Sequence, residues 1–211
     1  MTTEPVTHHD PAPGEPTQAI CARIFDATAR GDLAAFKTLV HPDAVNREAK
    51  DEPPGTRGRG PAAFYATALW LRAALSGMRW DIHEVATDGD LVAVHTTGHA
   101  RHTGTFVFYD QSGAVRQAFP PTGKTCSATQ THWFRLADGK IIEHWANRDD
   151  MGMARQLGWI PPSPAYLIRM HAATRRARRA APAPATEAAP TAPDHGRRGP
   201  ARAQASPGGR P

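Results

Sequence analysis

Between residues 60 and 148 the hydrophobic period of this chain changes, and that change constrains the fold more than any other feature. Phe64, Ala68, Leu71 and Leu75 recur at i, i+4, i+7 and i+11, the spacing of one helix face. Downstream, "MRWDIHEVATDGDLVAVHTTGHARHTGTFVFYDQSGAVRQAF" alternates with a period of two and is broken at Asp88-Gly89 and Ser112-Gly113, both hairpin signals. "KTCSATQTHWFRLADGKIIEHWANRD" repeats the pattern and turns at Asp138-Gly139. Helices followed by a meander of long strands define an α+β chain. Ile20, Ile24 and Ala27 mark a first helix stopped by Gly31, Asp32 caps a second over "LAAFKTLV", and a third runs from about 61 to 76 with Gly77 as its stop. The expected architecture is three helices packed on one face of a strongly curved, mostly antiparallel sheet.

The ends of the 211-residue chain differ from this body. Residues 1–15 are polar and proline-rich and read as a disordered arm, and residues 16–162 form the domain. Residues 163–211 read as a disordered basic Ala/Pro/Arg tail, although "PAYLIRMHAATRRARRAA" also suits a short amphipathic helix. From Pro162 onward nine arginines face two acids, so the tail carries +7 and the body −2 of the formal +5. A mildly acidic body does not fit a dedicated nucleic-acid domain. The two cysteines, Cys21 and Cys126, form no metal-spaced or CxxC pattern. There is no apolar leader and no run long enough to cross a bilayer, so the expectation is a cytoplasmic protein with no membrane partner.

Pairing the last hairpin about Asp138-Gly139 sets Leu136 opposite Ile141, Phe134 opposite Glu143, His132 opposite Trp145 and Gln130 opposite Asn147. These eight would share a face that is apolar near the turn and polar at its far end, where Asp149 lies. Such a gradient suits the lining of a small-molecule pocket. His132 can move a proton near neutral pH, and a carboxylate in an apolar cleft can become a base. Asp149 equally suits the N-cap of "DMGMARQLG". His132 equally suits a hydrogen-bonded core position.

"HPDAVN", "GPAAF", "GDLVAV", "PPTGK", "THWFRLADGKIIEHW" and "RQLG" occur in that order. Together they resemble the SnoaL-like polyketide (ester) cyclases of the nuclear-transport-factor-2-like superfold, over roughly residues 17–161. The resemblance implies a cone of curved sheet closed by helices and aldol ring closure of a polyketide ester in secondary metabolism, without metal or cofactor. It also implies a homodimer. By position, the family's glutamine falls on Gln130 and its histidines on His132 and His144. His144 has the wrong parity for the pocket face unless a bulge or twist turns it in. The family's aspartate, which directly follows the position of Trp145, is replaced by Ala146. The resulting assignment is Asp149, His132 and His144 as catalytic groups, with Gln130, Trp145 and Asn147 binding substrate. A non-catalytic binding module, and a hydrolase or dehydratase, remain the alternatives.

Other residues invite second readings. Of His95, His99 and His102 on one strand region, only His95 and His99 share a face, and that pair lacks a third ligand at recognisable spacing, so no metal is expected. Arg57 and Arg59 read as a solvated loop or as a lid over an anionic substrate. "FVFYDQSGAVRQAF" reads as an extended hairpin at the pocket mouth or a dimer contact.

Overall fold

The computed structural model describes residues 17–181. The expected arm at 1–15 and the tail beyond 181 lie outside the described residues. Helix α1 spans Thr17–Arg30 and α2 Leu33–Leu39. Gly31 between them is left-handed at φ 67°, and Asp32 caps α2 by accepting from the Ala35 N–H, as the sequence implied. Strand β1 is Val40–Asn46 and α3 is Gly60–Ala74, with a 3-10 turn at Pro54–Arg57 between them. Strands β2 (Leu75–Asp88), β3 (Leu91–His102), β4 (Phe106–Tyr109), β5 (Val115–Phe119), β6 (Thr125–Ala137) and β7 (Lys140–Arg148) follow, then α4 (Asp150–Leu157) and α5 (Pro164–Ala180).

The five-stranded sheet has the order β1-β7-β6-β3-β2, with β1 parallel to β7 and the other pairs antiparallel. Strands β4 and β5 form a separate hairpin. The expected α+β class holds. Helix α3, however, stops two residues before its expected end. Leu75 is already extended and paired with His102, and Gly77, at φ 61°, sits in a β2 bulge rather than capping a helix.

Two apolar clusters form the core. The first joins Ile20, Ile24 and Phe25 of α1 and Phe36 of α2 to Phe64 of α3 and to Val92, Val94, Phe134 and Ile141 of the sheet. The second gathers Leu75, Phe106, Leu157 and Trp159 with Tyr166 and Met170 of α5. Helix α5 therefore belongs to the packed body, whereas the sequence suggested that the tail begins at 163. Its basic residues are not simply solvated. Arg178 donates to the carbonyls of Val115 and Arg116, Arg169 donates to that of Pro121, and the Ala118 N–H donates to Thr174. These bonds cover the free edge of β5.

Candidate active site

A cavity of about 400 Å³ lies between the helices and the inner face of the sheet. Phe25, Phe64 and Phe134 line one part of it, and Trp70, Phe106, Phe119 and Trp159 line another. Ion pairs stand at its rim: Arg148 meets Glu48 at 3.2 Å and Asp150 at 3.4 Å, and Arg116 meets Asp51 at 3.3 Å.

The β6–β7 hairpin decides which polar groups reach this space. Asp138 (φ 50°) and Gly139 (φ 69°) are both left-handed, the geometry of a two-residue type I′ turn. Leu136 faces Ile141 as expected. Arg135 then pairs with Glu143, so Ile142 is an extra residue in β7. This bulge reverses the parity of the rest of the strand. Phe134 now faces His144, His132 faces Ala146 and Gln130 faces Arg148. The β6 half of the expected face is as read from the sequence, whereas the β7 half is inverted beyond Ile141.

The structure therefore brings Gln130, His132 and His144 together. His132 Nδ1 lies 3.0 Å from His144 Nε2, and His132 Nε2 lies 2.8 Å from Gln130 Oε1. Trp80 Nε1 donates to the same Gln130 oxygen at 3.1 Å. On the far side, His144 Nδ1 lies 3.0 Å from Asn46 Oδ1. Gly98 makes room for this line, since a Cβ there would stand 2.7 Å from Gln130 Nε2. Burial drives the pKa of both imidazoles down, that of His144 to about 3, and the Arg148 charge acts in the same direction. The His144 ring adds to the effect on His132. Both rings are therefore held toward the neutral form.

Three expected residues are placed elsewhere by the inverted parity. Asp149 Oδ1 accepts the Gly152 N–H at 2.7 Å as the N-cap of α4, and the residue is exposed. Trp145 stacks on Trp133 on the outer face, with centroids 6.1 Å apart and the Arg47 guanidinium over its ring. Asn147, also outside, accepts from Trp133 Nε1 at 3.3 Å. The strand histidines are dispersed as well. His99 pairs with Asp81 at 2.8 Å, His95 meets Thr131 at 3.3 Å, and His102 is buried in the core. Among the described residues, no group of three or more His, Cys, Asp or Glu could hold a metal ion. Arg57 is neither a solvated loop residue nor a lid, because it donates to the carbonyls of Lys50, Glu52, Asp110 and Gln111.

One lining residue escaped the sequence reading. Glu52, on the loop after β1, is only 5 % exposed and takes the Thr67 hydroxyl at 2.6 Å. Burial pushes its pKa up, against the lowering effects of Thr67, Thr56 and Arg148. Its neighbours "KDEPPG" look like a solvated loop, and no local pattern marks the one acid that turns inward.

The family model for SnoaL-like polyketide cyclases matches residues 19–157, well over half of the chain. The chain belongs to this family. Among relatives of this SnoaL-like chain, the aklanonic acid methyl ester cyclase DnrD of Streptomyces peucetius is 31% identical over 143 residues, covering 67% of this chain and 90% of that protein. The nogalonic acid methyl ester cyclase of Streptomyces nogalater is 32% identical over 120 residues, covering 56% and 80%. Among solved structures, IdmH from Streptomyces antibioticus superposes with a TM-score of 0.51 at 25% identity, covering 68% of this chain and 99% of IdmH. TsrD from Streptomyces laurentii gives a TM-score of 0.53 at 20% identity, covering 67% and 93%, and shares the fold.

Proposed function

We propose that the protein closes a ring in a polyketide-type methyl ester, or a closely related carbonyl intermediate of secondary metabolism, without a cofactor. The observation that carries this reading is the part-buried line Trp80–Gln130–His132–His144, set in an aromatic-walled cavity of about 400 Å³. In an intramolecular aldol closure, a carbon loses a proton and attacks a second carbonyl, whose oxygen becomes negative. A ring N–H of His132 and the Gln130 amide are donors fixed in advance for that oxygen. The aromatic walls hold a planar chain folded with its reacting carbons close together.

The test is incubation of the purified protein with aklanonic or nogalonic acid methyl ester, the compounds in the relatives' names. The expected product is an isomer of unchanged mass, formed at least about a hundredfold more slowly by His132→Ala. Ester hydrolysis, which releases methanol and leaves an acid lighter by one CH2, or dehydration, which removes one water, would replace the cyclase reading with the corresponding alternative. A binding-only module is favoured by Ala146, which puts a methyl group opposite His132. That reading would be supported by tight binding of both esters with conversion of neither. The protein is also read as a cytoplasmic homodimer joined through the outer face of the sheet, where the Trp133–Trp145 stack lies. A monomeric mass by light scattering would remove the dimer from this reading.

A further inference from the structure

Four carboxylates line the cavity, and three of them stand in ion pairs at the rim: Glu48 and Asp150 with Arg148, and Asp51 with Arg116. Glu52 differs. It is buried and makes no ion pair among the described residues, and the Thr67 hydroxyl holds its carboxyl at 2.6 Å. Its loop is also tied down. Arg57 donates to the Glu52 carbonyl at 3.0 Å and to that of Gln111, in the β4–β5 turn, at 2.7 Å. The Tyr109 N–H donates to the Asp51 carbonyl at 2.9 Å. Glu52 is therefore a carboxyl on a rigid support rather than on a free loop. The inner face of β7 offers only Ala146 between His144 and Arg148.

Glu52 is also joined to the histidine pair. Thr67 Oγ1 lies 3.4 Å from Asn46 Nδ2, and Asn46 Oδ1 lies 3.0 Å from His144 Nδ1. Counting hydrogens along this line is informative. Asn46 Oδ1 already accepts from the Glu48 N–H, and Gln130 Oε1 from Trp80 Nε1–H. Acceptors thus bound the imidazole pair at both ends, so His144 Nδ1 and His132 Nε2 each carry a hydrogen. The ring-to-ring contact of 3.0 Å then needs a third, one more than two neutral imidazoles hold. Turning the Asn46 amide end for end gives up its bond from the Glu48 N–H, and with Glu52 protonated the line to the imidazole pair then closes with both rings neutral. One proton therefore has two resting places, Glu52 and the histidine pair. Moving it to the pair creates a carboxylate base and an imidazole acid together. Arg148 and Glu48 are the other charged groups acting on Glu52.

We propose that Glu52 is the base of this site, coupled through Thr67 and Asn46 to His132 and His144, which supply the acid. This assignment rests on the cyclase reading above. In the step, the Glu52 carboxylate removes a hydrogen from the carbon beside the ester or ketone carbonyl. The C–H electron pair forms the new C–C bond to the second carbonyl carbon, and the π electrons of that carbonyl move to its oxygen. The oxygen takes the hydrogen of His132 Nε2. Glu52 has gained one proton and the pair has lost one, the line returns it, and the product is an isomer of the substrate.

The experiment compares wild type with E52Q on aklanonic acid methyl ester, alongside nitrogen-15 and carbon-13 NMR titration of both proteins without substrate. E52Q is expected to lower kcat at least about a hundredfold with KM within about threefold, and E52D to recover part of the loss. In wild type, the Glu52 carboxyl carbon and the ring nitrogens of His132 and His144 are expected to titrate together, and E52Q should displace the histidine step. A kcat within about threefold of wild type, or a histidine titration unchanged in E52Q, overturns the proposal. If wild type leaves the ester unchanged, the cyclase reading for that ester falls, and the NMR titration alone decides the role of Glu52. Should E52Q not fold, Thr67→Val breaks the line but keeps the carboxyl, and joint titration persisting in that variant overturns the proposal.

Discussion

The two halves of β7 carry the same kinds of side chain and put them to opposite uses. In the first half, Ile141 is fully buried in the core and His144 is turned inward against His132 and Asn46. In the second half and just beyond it, Asn147 and the following Asp149 face out, where they serve Trp133 and the N-cap of α4. Period-two alternation from the turn would have given the reverse. The extra residue Ile142 decides which polar groups lose water and which keep it. The comparison shows that a polar residue near a pocket gains chemical character from its side of the sheet more than from its distance along the strand.

The largest effect is expected from inserting one alanine between Glu143 and His144. With Glu143 kept opposite Arg135, the new residue falls opposite Phe134, His144 turns outward and Trp145 inward, and turnover should fall at least about a hundredfold along with the melting temperature. Retained activity would show that the inward histidine is dispensable. His144→Ala keeps the register but leaves His132 Nδ1 without a partner and takes one of its partners from Asn46 Oδ1, at a cost of about 1–3 kcal/mol in denaturant unfolding. A neutral result would mean that the part-buried polar line adds nothing to stability.

Gly98→Ala should next disturb the Gln130 amide, because the new methyl would stand 2.7 Å from Nε2. About a tenfold loss of kcat is expected, with little change in fold by circular dichroism. The smallest effect belongs to the outer half of the strand. Asp149→Ala removes the α4 cap, costing about 1 kcal/mol, and should leave turnover within about twofold. A large loss of turnover there would return Asp149 to the site and erase the contrast between the two halves.

Acid offers a further way to test the contrast. Burial holds the folded-state pKa of both histidines below the ordinary 6.5, that of His144 at about 3. Between those values the unfolded chain binds more protons than the folded one. Stability is therefore complete above about pH 6.5 and is lost as pH falls toward 3. Glu52, whose pKa is raised from 4.5, contributes with the opposite sign just above that value. Unfolding free energy is expected to drop between pH 7 and 4.5, and His144→Asn should flatten the slope. An equal slope in that variant would place the acid sensitivity elsewhere.

Much of this was legible in the sequence. The period change marked the step from helices to sheet, Asp32 and Gly31 marked their turn, and Asp138-Gly139 fixed the final hairpin. Gln130 and His132 followed because alternation within β6 is uninterrupted. His144 was legible only as a conditional, since parity placed it outside unless a bulge intervened. Asp149 was misread because a carboxylate at the end of a strand and the cap of a helix look the same in one dimension. Glu52 gave no signal, because its burial depends on Arg57 tying its loop to the β4–β5 hairpin, more than fifty residues away in the chain.

By itself, the sequence determined the class of the fold, the order of its elements and the β6 half of the polar line. Those properties rest on local periodicity and turn chemistry, which act over a few residues. The tertiary structure decided which half of β7 faces inward, that α5 covers the edge of β5, and that one loop glutamate is drawn into the cavity. These depend on a single extra residue in a ladder and on contacts between distant segments, whose energies appear only when the elements are packed together.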